Sequence, residues 1–479
     1  MEMTGTLLIA LALVALICLG AFGLASWRDR ERRASRLAFG LAIAVALSFG
    51  LSALLPPQSR LAIVSIVALV LLASVLLFLL PIGRIERGPD IPHKRFDERD
   101  IMFARARLEP GSPNYAAYYA LRPGNKAGDD RTRSLPGLLA PTASEANPPL
   151  FAATTATFDL IETLRSRVDG QPAAQRTGPD PTRMAVTVKG LARHWGAHSV
   201  GITSLQPYHL YSHIGRGSGE YGSPIHLEHT YALAFTVEMD RAMVDTAPAA
   251  PTLLESARQY ACAAQIAIQL AGFIRNQGYR ARAHIDGDYR VIAPLVARDA
   301  GLGELGRMGL LMTPALGPRV RLGVVTTDLP LAIDPRSDDL SVLDFCQVCK
   351  KCADCCPVQA IPRGDRTEID GALRWRIKDE ICFRYWNVIG TDCARCMAVC
   401  PYSYPNSPIH NLVRWAARHS GAARRAAIWL DRVFYGPNPA PKPAPAWVPA
   451  KPAPQTVHVR AGVSRHAAGT EKPKNSEGA

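Results

Sequence analysis

The stretch "FCQVCKKCADCCPVQAIP", Phe345–Pro362, sets five cysteines within eleven residues and closes the run with Cys-Pro. Its spacing, Cys346-x2-Cys349-x2-Cys352-x3-Cys356-Pro357, is the bacterial ferredoxin pattern. Three closely spaced thiolates wrap one face of an iron–sulfur cubane, and the longer last gap turns the fourth toward another cluster. A second run, Cys382-x10-Cys393-x2-Cys396-x3-Cys400-Pro401, repeats the arrangement with its first gap stretched. The spacing therefore assigns Cys346, Cys349, Cys352 and Cys400 to one [4Fe–4S] cluster, and Cys382, Cys393, Cys396 and Cys356 to another. Cys355 is left over as a bystander. Zinc also favours Cys-x2-Cys pairs, but two complete C-x2-C-x3-C-P endings speak for clusters. Eight of the chain's eleven cysteines are used in this way, which points to a reducing compartment rather than a secreted disulfide scaffold. Cys18 and Cys262 read as small core residues.

Toward the N-terminus, Met3–Trp27, Leu37–Ser59 and Leu61–Gly83 carry no charged residue. Each exceeds the roughly 18–20 residues that cross a bilayer core of about 30 Å as a helix. Between the first two lies "WRDRERRASR", with five arginines against one Asp and one Glu. The second loop holds only Arg60, and "GRIERGPDIPHKR" follows the third run. Positive charge marks the cytoplasmic side, so the expectation is a multi-pass inner-membrane protein with everything after residue 84 in the cytoplasm. Arg32-Arg33 before an apolar run also suggests an export signal. The continuation "ASRLAFG" and the full apolar span before the pair argue against it.

Between anchor and cysteines the organisation changes twice. Residues 86–154 are rich in Pro, Gly and Arg and read as a linker and extended arm. Residues 155–335 alternate helix and strand patterns and read as the core. Within it "TLLESARQYACAAQIAIQLAGFIRNQGY" predicts a helix capped at Gly278, with Ala257, Tyr260, Ala261, Ala264, Ile268 and Ala271 on one face. Glu255, Arg258, Gln265 and Gln269 fall on another. "YALAFTVEM" and "RVRLGVVTTDL" predict strands, and "DAGLGELGRMG" between them a tight turn or a close backbone approach. The dicluster segment takes 336–410, a C-terminal helix 411–435, and a Pro-rich tail 436–479 is expected disordered or extended. Net charge is +14, but no Lys/Arg run alternates with aromatics, so nucleic acid is not the expected partner. His194, His198, His209, His213, His226 and His229 crowd one stretch without a carboxylate motif. They read as polar or substrate-lining rather than as a further metal site.

The run "GFIRNQGYRARA", then "DAGLGELGRMGLLMTPALGPRVRLGVVTTDLPL", then "FCQVCKKCADCCP" resembles the cobalamin-dependent reductive dehalogenases over roughly residues 180–410. The resemblance implies an α/β (α+β) nitroreductase-like core holding base-off cobalamin, with a ferredoxin-like dicluster segment that reduces cobalt to Co(I). No Asp-x-His-x-x-Gly corrinoid motif is present, consistent with that family. Composition and spacing do not reveal the corrinoid, and its contacts are expected between His284 and Thr327. In that family a tyrosine supplies the proton that replaces the halide, beside a basic residue that tunes it. Tyr260 is the position carried over, with Tyr231 the alternative, and Arg307 of "GELGR" is the expected basic partner. A guanidinium beside a phenol favours phenolate and makes the tyrosine a better acid. His284, Asp286 and Asp288 lie near where epoxyqueuosine reductases, relatives acting on tRNA, place an Asp. They read more simply as a surface loop.

The expected activity is reductive removal of halide from an organohalide. The electrons come from an external donor (a ferredoxin, flavoprotein or membrane reductase). Two rivals stay open: an epoxyqueuosine reductase-like enzyme, and a non-catalytic electron-transfer subunit with two clusters and no corrinoid.

Overall fold

The computed structural model describes residues 2–83 and 85–451. Three helices come first: α1 (Glu2–Arg28), α2 (Arg32–Ser52) and α3 (Pro57–Leu79). All three are long and apolar enough to cross a membrane. α1 packs on α2, and Ala12, Ala34, Ala38 and Ala42 are buried along these helices together with Leu8; small residues let helices approach closely. No residue of α3 is buried, as suits a helix solvated by acyl chains. The helices do not coincide with the uncharged runs. Arg32, Arg33 and Arg36 are helical in α2, and Pro57 starts α3, because a proline at the first helical position gives up a donor that had no partner there. Cys18 is exposed on α1 rather than buried.

The core is built on α4 (Pro148–Leu164), α5 (Pro181–His194), β1 (Ser199–Ser204), β2 (Tyr231–Glu238), α6 (Ala250–Asn276), β3 (Ala281–His284), α7 (Ala293–Asp299) and β4 (Val320–Thr327). The sheet order is β1-β2-β4-β3, and every neighbouring pair is antiparallel. Tyr231 pairs with Thr327, and Ala281 pairs with the same residue from the other side. This is a mixed helix–sheet fold, with α6 lying along one face. Alanines at 257, 264, 267 and 271 are buried there and bring the helix close to the strands. Phe235 closes over Gly323, where any Cβ would lie 2.2 Å from the ring. The expected stop holds, since Gly278 has φ +85° and its Cβ would strike the Gln175 carbonyl. Glu255 departs from the expected polar face. It is buried and accepts hydrogen bonds from the Asp240 amide (2.7 Å) and from Gln259.

Residues 86–154 are not an extended arm. They carry helices Pro113–Leu121 and Lys126–Arg133 and fold against the core. Buried Glu98 accepts from the backbone amides of Gly215 and Arg216. Buried Arg105 bridges Asp129 and Glu380. Proline and glycine richness concealed these segments, because the ordering comes from ion pairs that span the chain. The cysteine segment comprises α8 (Ser341–Cys349), α9 (Asp379–Ile389), the one-turn helices Lys351–Asp354 and Arg395–Ala398, and a hairpin of Thr367–Ile369 with Ala372–Arg374. The single C-terminal helix is instead a hairpin, α10 (Pro408–His419) and α11 (Gly421–Tyr435), broken at Ser420, whose side chain caps α11. Beyond it the chain runs as a strap without regular structure as far as Lys451. Lys442 pairs with Glu31 and Asp245, and Lys451 with Glu145. The remaining tail, 452–479, lies outside the described residues.

Candidate active site

The eight spaced cysteines fall into two groups. Cys352 lies close enough to Cys346, Cys400 and Cys349 for their charges to raise its pKa, and Cys400 feels Cys346 and Cys349. Cys393 feels Cys382 and Cys356, and Cys396 feels Cys393, Cys382 and Cys356. The groups touch where Cys396 senses Cys352. Burial pushes Cys349 and Cys393 up to about 12 and Cys382 up to about 11. Thiols held neutral in this way need a cation to ionise them, and a coordinated metal does so. Among the described residues no group of three or more His, Cys, Asp or Glu closes on a single ion, as zinc would require with sulfurs about 2.3 Å away. The first foursome is buried and the second partly so, and the grouping is the one the spacing assigns to two cubanes. Gly306 of the glycine turn approaches the first group closely, its Cβ position 3.5 Å from the Cys346 sulfur. Cys355 donates to the Pro437 carbonyl at 3.4 Å and takes no place in either group.

Beside the second group is a cavity of ≈ 660 Å³ whose wall includes Cys382. Phe158 and Ile161 of α4, Tyr260 of α6, Arg321 of β4, Trp386 of α9 and Phe103 of the arm all face it. A separate hollow of ≈ 420 Å³ lies under the strap and is lined mostly by prolines and alanines. Tyr260 is half-buried, with the Arg321 guanidinium 5.0 Å from its ring centre. Burial raises its pKa above the usual 10, and Arg321 opposes that rise. The phenol therefore keeps its proton at neutral pH, with a cation in place to stabilise the anion once the proton leaves. Arg321 is itself held by Ser256 at 2.6 Å and Asp392 at 3.0 Å, and Ser256 donates to Asp392. Asp392 precedes the ligand-spaced Cys393, so this chain of contacts joins the second cysteine group to the tyrosine. Arg321 Nε, Asp392 Oδ1 and Arg165 Nε are buried at residues of the wall without hydrogen-bond partners among the described residues. Such atoms are costly unless something in the cavity satisfies them.

Arg307 is not the basic partner of Tyr260. It is fully buried, donates to the carbonyls of Cys346 (2.9 Å), Pro362 (2.8 Å) and Gly364 (2.6 Å), and lies over the Trp375 ring. Its place is to clamp the first cysteine loop, where unpaired carbonyls need a multidentate donor. Tyr231 packs against the core cluster and does not line the cavity. His284, Asp286 and Asp288 are not a surface loop. His284 is buried against Thr326, and Asp288 is buried between Arg282 and Arg290. Asp286 lines the cavity, as do Tyr289, Pro318 and Val320 from the stretch expected to meet the corrinoid. None of the six crowded histidines lines it. His209 is buried against Asp299 at 2.8 Å, His229 bonds Thr326, and α5 ends at His194, so His198 does not share its helix. Arg321, Ser256 and Asp392 were missed as site residues. The one available signal was a charge inside an otherwise apolar strand, "RVRLGVV".

Residues 345–404 match the family model described as a 4Fe-4S dicluster domain. The chain is 33% identical over 270 residues to the tetrachloroethene reductive dehalogenase of Sulfurospirillum multivorans, covering 49% of this chain and 53% of that protein. A solved catabolic reductive dehalogenase in complex with 3-bromo-4-hydroxybenzoic acid aligns with TM-score 0.60 at 26% identity, over 75% of this chain and 50% of that one. The epoxyqueuosine reductase of Xanthomonas campestris pv. campestris is 28% identical over 263 residues, 47% of this chain and 71% of that protein. The chain thus spans about half the length of these two dehalogenases (53% and 50%). It is a homologue of the reductive dehalogenases that carries a 4Fe-4S dicluster domain, and it has a more distant similarity to epoxyqueuosine reductases.

Proposed function

We propose that the protein is a cobalamin-dependent reductive dehalogenase acting on an organohalide, with Tyr260 as proton donor and Arg321 as the cation that tunes it. The observation that carries this reading is one cavity whose wall holds a half-buried tyrosine under an arginine and a cysteine of the second foursome. When bound, the clusters relay single electrons, and a base-off corrinoid in a nitroreductase-like core supplies the reducing cobalt centre. The residues fit such a group. The cavity offers aromatic and aliphatic walls to a flat macrocycle and unpartnered polar atoms at Arg165, Arg321 and Asp392 to its amides or to substrate.

In the reaction two electrons and one proton convert the carbon–halogen bond to carbon–hydrogen and free halide. Tyr260 Oη holds that proton, and Arg321 stabilises the phenolate left behind. Asp392 and Ser256 fix the guanidinium over the ring. The arm lines the cavity through Phe103 and Arg107 and limits the water that competes for the reducing equivalents. The reading places the catalytic body on the cytoplasmic side of the inner membrane, served by a separate electron donor. The similarity to a dehalogenase solved with a bromohydroxybenzoate supports a halogenated small molecule as substrate.

Reconstituting the purified chain with iron, sulfide and hydroxocobalamin tests the reading. Stoichiometric bound corrinoid and bromide release from a bromophenol with a reduced dye are expected. Clusters without corrinoid would leave an electron-transfer subunit, and turnover of epoxyqueuosine tRNA alone would transfer the chain to the other relatives.

A further inference from the structure

Among the described residues the α10–α11 hairpin leaves large apolar side chains exposed on both of its helices. On α11, Ile428 and Phe434 are buried together with the charged Arg424 and Asp431 against the rest of the protein. Ala422, Ala426, Trp429 and Val433 form a second stripe at helical spacing, and Trp429 is 64% exposed. On α10, Leu412 and Trp415 are 61% and 53% exposed. Two exposed tryptophans with neighbouring exposed aliphatic side chains on one hairpin are an unusual thing to offer water.

The position of the hairpin names its occupant. Trp415 stacks on Phe78 near the end of α3, at 6.0 Å between ring centres. Phe434 meets Phe22 of α1 edge-on at 5.2 Å and packs on Ala34 and Ala38 of α2. Phe22 lies six residues inside the end of α1 at Arg28, which at about 1.5 Å per residue is roughly 9 Å along the helix. The hairpin therefore sits at the level where an aqueous flank gives way to apolar helix. At this same end Arg28, Arg30, Arg32, Arg33, Arg36 and Arg432 are exposed. Exposed tryptophan beside arginine at one level is the composition of a headgroup boundary.

We propose that α10–α11 is an interfacial seat. It lies in the surface of an anionic bilayer, the one α1–α3 are apolar enough to cross, with Leu412, Trp415, Trp429 and Leu430 in the headgroup–acyl boundary. The seat is bolted to the first cysteine group. Asp431 pairs with buried Lys351 at 2.5 Å, and Arg432 donates to the Cys349 carbonyl at 3.1 Å. The Cys346–Cys349–Cys352–Cys400 group is thereby held on the membrane side of the molecule.

The test uses the full chain in nanodiscs of phosphatidylglycerol and phosphatidylcholine brominated near the headgroup, which quenches tryptophan only on contact. Wild-type emission should be quenched. W415F/W429F should lose about two-thirds of the quenchable amplitude, since Trp27 is the third tryptophan at that boundary, while iron–sulfur absorbance is retained. Should the double variant lose its iron, W415F and W429F singly should each remove about one-third. Unchanged lipid quenching, with both tryptophans open to aqueous iodide, would overturn the proposal. So would paired copies per disc that separate in the double variant, since the face would then belong to a second copy.

Discussion

The two cysteine foursomes are near repeats in sequence and opposite in setting. The first is enclosed by protein: Arg307 caps its loop carbonyls, Lys351 is paired to α11, and Arg424 holds Asp344 of α8 at 2.5 Å. The second borders the cavity through Cys382, and Asp392 beside it reaches the tyrosine's arginine. One group is built into the scaffold and the other into the site. The difference gives the relay of the proposed function a direction, entering at the first group and leaving at the second.

The sharpest way to break this comparison is at Cys382. Cys382→Ser should abolish halide release and remove about half of the bound iron, one cluster of two, as read by iron analysis and spectroscopy. Full activity with one cluster would remove the second group from the path. Next in size, Tyr260→Phe should cut turnover by about 10²–10⁴-fold, the range for losing a general acid, with iron content unchanged. A change in KM alone would make the tyrosine a wall residue.

On the scaffold side the effect should be on stability. Lys351→Met strands Asp431, whose pKa burial already raises. The expected cost is about 3–5 kcal/mol, with most of it recovered in Lys351→Met/Asp431→Leu. Denaturant unfolding of the two variants reads the difference, and equal losses would mean that the pair is not the bolt. The smallest effect is at Asp299, which lies apart from both groups. His209, Arg298 and Tyr208 hold its carboxylate below the usual range against the opposing effect of burial. Its contribution is present above the unfolded value of about 3.9 and fades as pH falls toward the lower folded value. The thermal midpoint of Asp299→Asn should therefore fall less than that of wild type between neutral pH and pH about 3.

Much of this molecule was legible locally. The cysteine spacings, the three apolar runs, the helix ending at Gly278 and the strands at 231 and 320 each depend on neighbours a few residues away. Tyr260 was legible only through resemblance. Arg307 was the wrong arginine because the glycine turn and the following strand both carry basic residues near the cysteine segment. Which one reaches the phenol depends on the register of β4 beside α6. The arm at 86–154 was misread for a related cause: its order rests on Glu98 and Arg105 pairing with partners far along the chain.

The sequence by itself determined the spacing of eight candidate cluster ligands and three runs apolar and long enough to cross a membrane, because both follow from spacing and composition along the backbone. Only the tertiary structure decided which arginine lies beside the tyrosine, which cysteine group meets the cavity and which faces the hairpin. Those outcomes are set by side chains from distant segments converging in a low-dielectric interior, where one well-placed charge outweighs several that lie near in sequence.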